Sequence, residues 1–323
     1  MKKLTFFMLL MYLFIPISVF AYSDYIIASG KNIGIELKSD HVIIVGAYKI
    51  NNHNNLIESD LQVGDKIIKI NDYEVNSVDS LQKVINKINN DNVTITYSRR
   101  GNEGKTNITL YKDSGEYKTG LYVRDTIRGV ATLTYVDTNN KTFGALGHEI
   151  LEKSTKSKFE SDSGTIFYSS VTGITKSSDG DPGEKNARSD SSYVYGEVVE
   201  NTTSGIFGKY TDTPPKSKVY KVAKPDEINL GEAKILTVID GDIPEYFDIN
   251  ILKINKSSNT KNILFEVTDK KLLDTAGGIV QGMSGSPIIQ GGNIVGAVNF
   301  VVVDKTNKGY GIFITNMLEE AEN

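Results

Sequence analysis

From Leu121 onward the chain is a succession of short apolar segments cut apart by turn chemistry, and this pattern constrains the fold more than any other feature. "TLTYVD", "SGTIFY", "SYVYGEVVE", "KVYKVA", "AKILTVI", "FDINILKI" and "NILFEVTD" follow one another with glycine, proline, asparagine and aspartate between them. None carries a helical period, and only the closing "TNMLEEAEN" reads as a helix. Many short strands leave many unpaired edges, and an antiparallel sheet closed on itself removes them. The expectation is a mainly β protein whose larger part is a closed antiparallel β-barrel.

The chain has 323 residues, enough for two ordinary domains, and 39% of it is hydrophobic, enough to build a core in each. Its formal charge of -4 lacks the basic excess that nucleic-acid binding requires. It contains no cysteine, which excludes thiol nucleophiles, disulfides and thiolate metal sites. The three histidines, His41, His53 and His148, are widely scattered, so no catalytic metal and no cofactor is expected. At the N-terminus, Lys2 and Lys3 precede an uncharged apolar run from Leu4 to Phe20, and Val19-Phe20-Ala21 offers a cleavage site. Residues 1–21 read as a signal peptide or membrane anchor, so the rest of the chain is expected to be exported, either soluble after cleavage or membrane-anchored.

Residues 25–111 read as a smaller β-rich domain. "HVIIVGAYKI" is an apolar strand, and a Gly64-Asp65 turn leads into a second strand at Ile67–Ile70. Leu81, Val84, Ile85 and Ile88 then fall on one helical face, with Ser77 or Asp79 as its cap. Val93, Ile95 and Tyr97 alternate, as do Ile108 and Leu110, which marks a hairpin. The order of elements and the phrase "LQVGDKIIKINDYEVNSVDSL" resemble a PDZ domain. That resemblance implies a peptide-carboxylate loop at "NIGIEL", built on Ile33, Gly34 and Ile35, whose ligand peptide adds as a strand; an ordinary β-turn is the alternative. Residues 112–120 read as a linker and residues 121–323 as the second domain. "SSDGDPGEKNARSDSS" is its most loop-like stretch.

The chemistry concentrates in "GMSGSP", Gly282 to Pro287. A hydrolytic serine needs an exposed hydroxyl, small neighbours that admit substrate, and two N–H groups aimed at the developing oxyanion. Ser284 meets these conditions, with its own N–H and that of Gly282 forming the hole. The loop resembles the Gly-x-Ser-Gly-x-Pro loop of chymotrypsin-like peptidases and not the Gly-x-Ser-x-Gly elbow, because Ser286 stands in the last position. A hairpin on Gly291-Gly292 follows. The hydroxyl needs a base, and His148 in "FGALGHEIL" is the one histidine beyond the PDZ-like region. A carboxylate would complete a triad. Asp269, closing "NILFEVTD", and Asp274, in "LLDTAGG", are both candidates by position.

Taken together, "GLYVRDTIRGVATLTY", "FGALGHEI", "DPGEK", "GIFG" and "AGGIVQGMSGSP" are similar to the SpoIVB peptidase family of endospore-forming bacteria, departing slightly at Ala276. The resemblance implies an N-terminal PDZ domain followed by a chymotrypsin-like barrel. It implies His148 as general base, Ser284 as nucleophile and Asp269 as acidic partner. It further implies action between the two forespore membranes, on the enzyme itself and on a membrane-bound regulator, in signalling to the mother cell that activates a late sigma factor. Two other readings are an HtrA-like quality-control protease, in which the PDZ domains follow the protease, and a catalytically silent PDZ adaptor.

Overall fold

A computed structural model describes residues 22–113 and 115–322, so the N-terminal leader assigned to residues 1–21 lies outside the described residues. The chain enters through β1 (Tyr25–Ala28) and β2 (Asn32–Ala47). The smaller unit follows with α1 (Asn55–Glu58), β3 (Lys66–Ile70), β4 (Tyr73–Glu74), α2 (Val78–Lys87), β5 (Asn92–Arg99) and β6 (Asn102–Thr109). Its ladder runs from the second half of β2 through β3 and β5 to β6. Ser77 caps α2 by accepting from Ser80 N, and Leu81, Val84 and Ile85 seal the sheet against Ile44, Ile67 and Ile95. The Gly64-Asp65 turn has a structural purpose. Gly64 takes φ 96°, and the buried Asp65 receives Arg99 through Nε and an Nη, both at 2.7 Å.

Next come the hairpin β7 (Tyr111–Asp113) and β8 (Glu116–Lys118), then β9 (Leu121–Asp137), β10 (Thr142–Ala145), β11 (Ser163–Thr175), β12 (Glu184–Thr202) and β13 (Gly205–Tyr210). After β14 (Val219–Val222) the chain forms β15 (Gly231–Thr237), β16 (Glu245–Ile254), β17 (Ile263–Val267), α3 (Lys270–Ala276), β18 (Pro287–Gln290), β19 (Asn293–Val301), β20 (Lys308–Phe313) and α4 (Ile314–Glu320). Two ladders close on themselves. In ring 1, β2 pairs with β9, then β10, β13, β12 and β11 follow in order, and β11 returns to β2. In ring 2, β15 pairs with β16, then β17, β20, β19 and β18 follow, and β18 returns to β15. Each ring has its own core, around Phe143, Ile166 and Leu133 in ring 1 and around Phe247, Phe265 and Ile288 in ring 2. β1 and β14 join them: β1 pairs with β9 and with β14, and β14 runs parallel to β19. Among the described residues no helix is long and apolar enough to cross a membrane.

The structure revises four sequence readings. Residues 25–38 hydrogen-bond within the larger unit, since Asn32–Lys38 lie between β9 and β11. Ile33 and Ile35 are therefore buried in the wall of ring 1 and form no open loop, and Gly34 is demanded by the Phe167 ring, which lies 2.1 Å from where its Cβ would stand. An apolar-Gly-apolar triplet serves a barrel strand under an aromatic ring as well as it serves a ligand loop. The span read as a linker holds the β7–β8 hairpin. The loop-like stretch around "DGDPGEK" is the turn and returning strand of a β11–β12 ribbon, whose register runs from Gly164↔Val198 to Thr175↔Glu184. Finally, α3 is a second helix of the larger unit, too short for its period to stand out.

Candidate active site

The loop that holds "GMSGSP" runs from the left-handed cap of α3, Gly277 (φ 75°), to the start of β18. Gly282 and Gly285 both take φ 93°, where side chains are strained. Gly285 has no alternative in any case, since a Cβ there would stand 2.1 Å from Thr132 O and 2.5 Å from Leu146 N. The loop separates its two serines. Ser286 is fully buried and spends its hydroxyl on Met283 O at 2.6 Å, a structural role. Ser284 is half-buried and donates to Asn299 O at 3.2 Å, a long bond to a backbone acceptor that rotation about one torsion releases.

The same loop aims its amides. Across a trans peptide the carbonyl and the following N–H point in opposite directions. Gln281 O is held by the Lys185 amide at 2.9 Å, which turns Gly282 N–H away from the ribbon. Met283 O is held by Ser286 N at 3.0 Å and by its hydroxyl, which turns Ser284 N–H away from Ser286. Neither amide donates to another group among the described residues. Two free N–H groups flanking Ser284 are what an oxyanion hole requires.

His148 follows β10, after a turn in which Leu146 and Gly147 take φ 72° and 73°. Its ring stacks on Phe300 with centroids 5.2 Å apart. Nδ1 faces Glu149 O at 2.9 Å, a carbonyl that only accepts, so Nδ1 carries the proton and Nε2 holds a free lone pair. Burial is the largest influence on the imidazole and lowers its pKa below the ordinary 6.5, while the Glu149 carbonyl and carboxylate oppose it. Asn201 secures the loop from the β12–β13 end. Its Oδ1 accepts from Ile150 N at 2.8 Å, and its Nδ2 donates to Ile150 O at 3.0 Å and Phe159 O at 2.9 Å. Ring 1 thus delivers the histidine and ring 2 the serine to adjacent residues of β19, Asn299 and Phe300.

The carboxylates stand elsewhere. Asp269 caps α3, with Oδ1 accepting from Leu272 N at 2.9 Å and Oδ2 from Asp248 N at 3.4 Å. Asp274 is exposed and paired with Lys270 at 2.6 Å. Neither is hydrogen-bonded to His148, whose Nδ1 is occupied by the Glu149 carbonyl.

Four residues at the site escaped the sequence reading: Thr132, Lys185, Asn201 and Asn299. Thr132 N–H donates to Ser284 O at 3.0 Å, and its hydroxyl donates to Gly282 O at 2.9 Å. "GVATLTY" and "DPGEK" had marked the neighbourhoods of Thr132 and Lys185 without a role for either side chain.

Away from this centre, α2 faces the outer edge of β9. Val78 N donates to Asp125 Oδ2 at 2.7 Å, and a groove of about 720 Å³ lies between Ser77–Asp79 and Arg124–Arg128. No described strand pairs with that edge between Leu121 and Ala131.

Comparison with known families gives two matches. A model described as SpoIVB peptidase S55 matches residues 115–318, and a PDZ domain model matches residues 32–110. No curated protein matches the chain.

Proposed function

This chain belongs to the SpoIVB peptidase S55 family and is a serine endopeptidase, and we propose that it cleaves with Ser284 as nucleophile and His148 as general base. What supports this reading is that Ser284 Oγ donates to Asn299 O and the His148 ring stacks on Phe300, consecutive residues of β19, with Nδ1 tied to a carbonyl and Nε2 left free. Ser284 Oγ attacks the scissile carbonyl carbon and passes its proton to Nε2. The oxyanion forms against the N–H groups of Gly282 and Ser284. As the tetrahedral intermediate collapses, the imidazolium returns the proton to the departing amine, and water repeats the sequence to free the acyl group. The Glu149 carbonyl holds the imidazole tautomer, and Asp269 supports the reaction by capping the helix that leads into the nucleophile loop.

The PDZ part binds protein or peptide chains. Its groove along the outer edge of β9 suits an extended segment that adds as a strand. That edge leads along one strand to Thr132, whose amide holds Ser284. In the cell, the enzyme acts outside the membrane that its leader at residues 1–21 crosses, in the space between the forespore membranes. It cleaves itself and a membrane-associated regulator during endospore formation. Family membership, the leader and the PDZ unit support this role.

The test is incubation of the purified protein beside its Ser284→Ala form, with fragments mapped by mass spectrometry. Fragments that appear only with the unaltered protein are expected, and identical fragment sets from both forms would remove Ser284 from the mechanism.

A further inference from the structure

The β11–β12 ribbon leaves ring 1 and docks its turn against ring 2. Ser177 N donates to Ala276 O at 2.8 Å, Gln281 N to Gly183 O at 3.1 Å, and Lys185 N to Gln281 O at 2.9 Å. The Lys185 side chain runs beneath the nucleophile loop, since a Cβ on Gly282 would stand 3.2 Å from both its Cβ and its Cδ. Its ammonium ends between two fully buried hydroxyls, Thr132 Oγ1 of ring 1 at 3.3 Å and Thr237 Oγ1 of ring 2 at 3.0 Å. No ionised partner faces it: burial alone accounts for its electrostatics. A lysine buried without a counter-ion is a costly choice for a core, and the peptidase mechanism above gives it no task.

Its neighbour Thr132 supplies one. Thr132 holds the nucleophile loop twice, through its N–H on Ser284 O and its hydroxyl on Gly282 O. A hydroxyl has one proton to give and can point it several ways. Ser286 Oγ, 3.5 Å away, faces the same oxygen as a second donor while it bonds Met283 O. Lys185 Nζ has N–H protons to give whether charged or neutral; it donates to Thr132 Oγ1, meeting a lone pair there and leaving the hydroxyl proton for Gly282 O. Gly282 O and Ser284 O belong to the peptide planes that follow the two oxyanion amides, so fixing both inward limits how far the Gln281–Gly282 and Met283–Ser284 planes on either side can turn. We propose that Lys185 is a positioning residue that, through the Thr132 hydroxyl, holds the oxyanion amides of Gly282 and Ser284 in their reactive orientation. The proposal rests on Ser284 being the nucleophile.

Lys185→Met keeps an unbranched side chain, one atom shorter, and removes the donor, and Thr132→Val removes the hydroxyl from the other end. The full chain carrying each change, both together, or Ser284→Ala would be assayed on a peptide substrate, with thermal unfolding followed alongside. Lys185→Met should fold, keep KM within about threefold, and lose on the order of 10²–10³-fold in kcat, the cost of a misaligned oxyanion donor. Thr132→Val should lose a similar factor, and the double variant should be no worse than either single one, because the two act as a unit. An unchanged kcat in Lys185→Met, or losses that multiply in the double variant, would overturn the proposal while leaving Ser284 in place. Should Lys185→Met fail to fold, Thr132→Val decides alone: a wild-type kcat there rejects the proposal. Activity retained in Ser284→Ala would instead strike the parent reading.

Discussion

The His148 imidazole lies on the ring of Phe300 with an interplanar angle of 22°, one residue beyond the carbonyl that accepts from Ser284. One strand of ring 2 therefore touches both side chains, although they come from different rings. The stack also dries the imidazole, and burial is what lowers its pKa below 6.5. The base acts when neutral. Activity should thus hold down through pH 6.5 and fall only as pH drops through the lowered value. Phe300→Ala should admit water, raise that pKa towards the ordinary value, and move the acid limb of kcat/KM upward. A profile of kcat/KM against pH measures both, and an unmoved limb would mean that Phe300 does not keep His148 dry.

Ser284 and Ser286 sit in one turn with opposite duties. Ser284→Ala should reduce kcat on the order of a millionfold, the loss that accompanies removal of a nucleophile from such a unit. Ser286→Ala removes the bond to Met283 O and should cost stability and about tenfold in kcat, because the Ser286 N–H still holds that carbonyl. Burst kinetics with an activated ester separates the two: the acyl burst should vanish in the first variant and persist in the second.

Much of this arrangement is legible in residue order. The serine loop, the upstream histidine, the capped helix α2 and the strand-rich larger unit all follow from local chemistry, because glycine placement, capping and apolar alternation act over a few residues. What is not legible acts across the chain. The triplet Ile33-Gly34-Ile35 reads as a ligand loop because its pattern is the same in a loop and in a wall strand, and the Phe167 ring opposite settles which it is. The ribbon that carries Lys185 looks like a loop because residues 188–194 face solvent or the rim on both sides and leave no apolar alternation to read. The Asp269 carboxylate is drawn to the nearest unsatisfied amides, those of Leu272 and Asp248, a competition that sequence spacing does not express.

That capping role makes Asp269 testable in a way a triad role is not. Asparagine caps a helix about as well as aspartate. Asp269→Asn should therefore keep activity within about threefold, whereas Asp269→Ala should lose roughly 1 kcal/mol of stability and part of the activity with it. A carboxylate bound to His148 predicts a fall of about 10⁴-fold for the asparagine variant. Steady-state kcat for the two variants chooses between these. Asp274→Asn, which breaks only an exposed pair with Lys270, should be silent.

The unpaired outer edge of β9 predicts a length dependence in the substrate. From Thr132 back to Asp125, beside Val78, is about 23 Å of strand at roughly 3.3 Å per residue. Extending a minimal peptide by about seven residues on the side that enters this groove should raise kcat/KM at least tenfold, through added ladder hydrogen bonds. Extension on the other side should give no such gain. Peptides of graded length, assayed on the full chain, test this, and a kcat/KM independent of length on both sides would show that the edge takes no part in binding.

Lys185 gives the protein an unusual stability profile. Burial pushes its pKa from the ordinary 10.5 down to about 7. Between these values the unfolded chain binds the proton and the folded one releases it, so stability rises with pH across that window. The benefit is complete above 10.5 and is lost as pH falls through about 7, where the charged ammonium must be buried. Removing the amine should therefore stabilise the protein most in acid. Urea unfolding of Lys185→Met and the unaltered chain should show the variant ahead by a few kcal/mol at pH 6, with the gap closing towards pH 10. A gap that stays constant with pH would mean that Lys185 keeps its proton throughout. A protein that carries this penalty gains nothing from it in stability, which agrees with a role for Lys185 in aligning the serine loop.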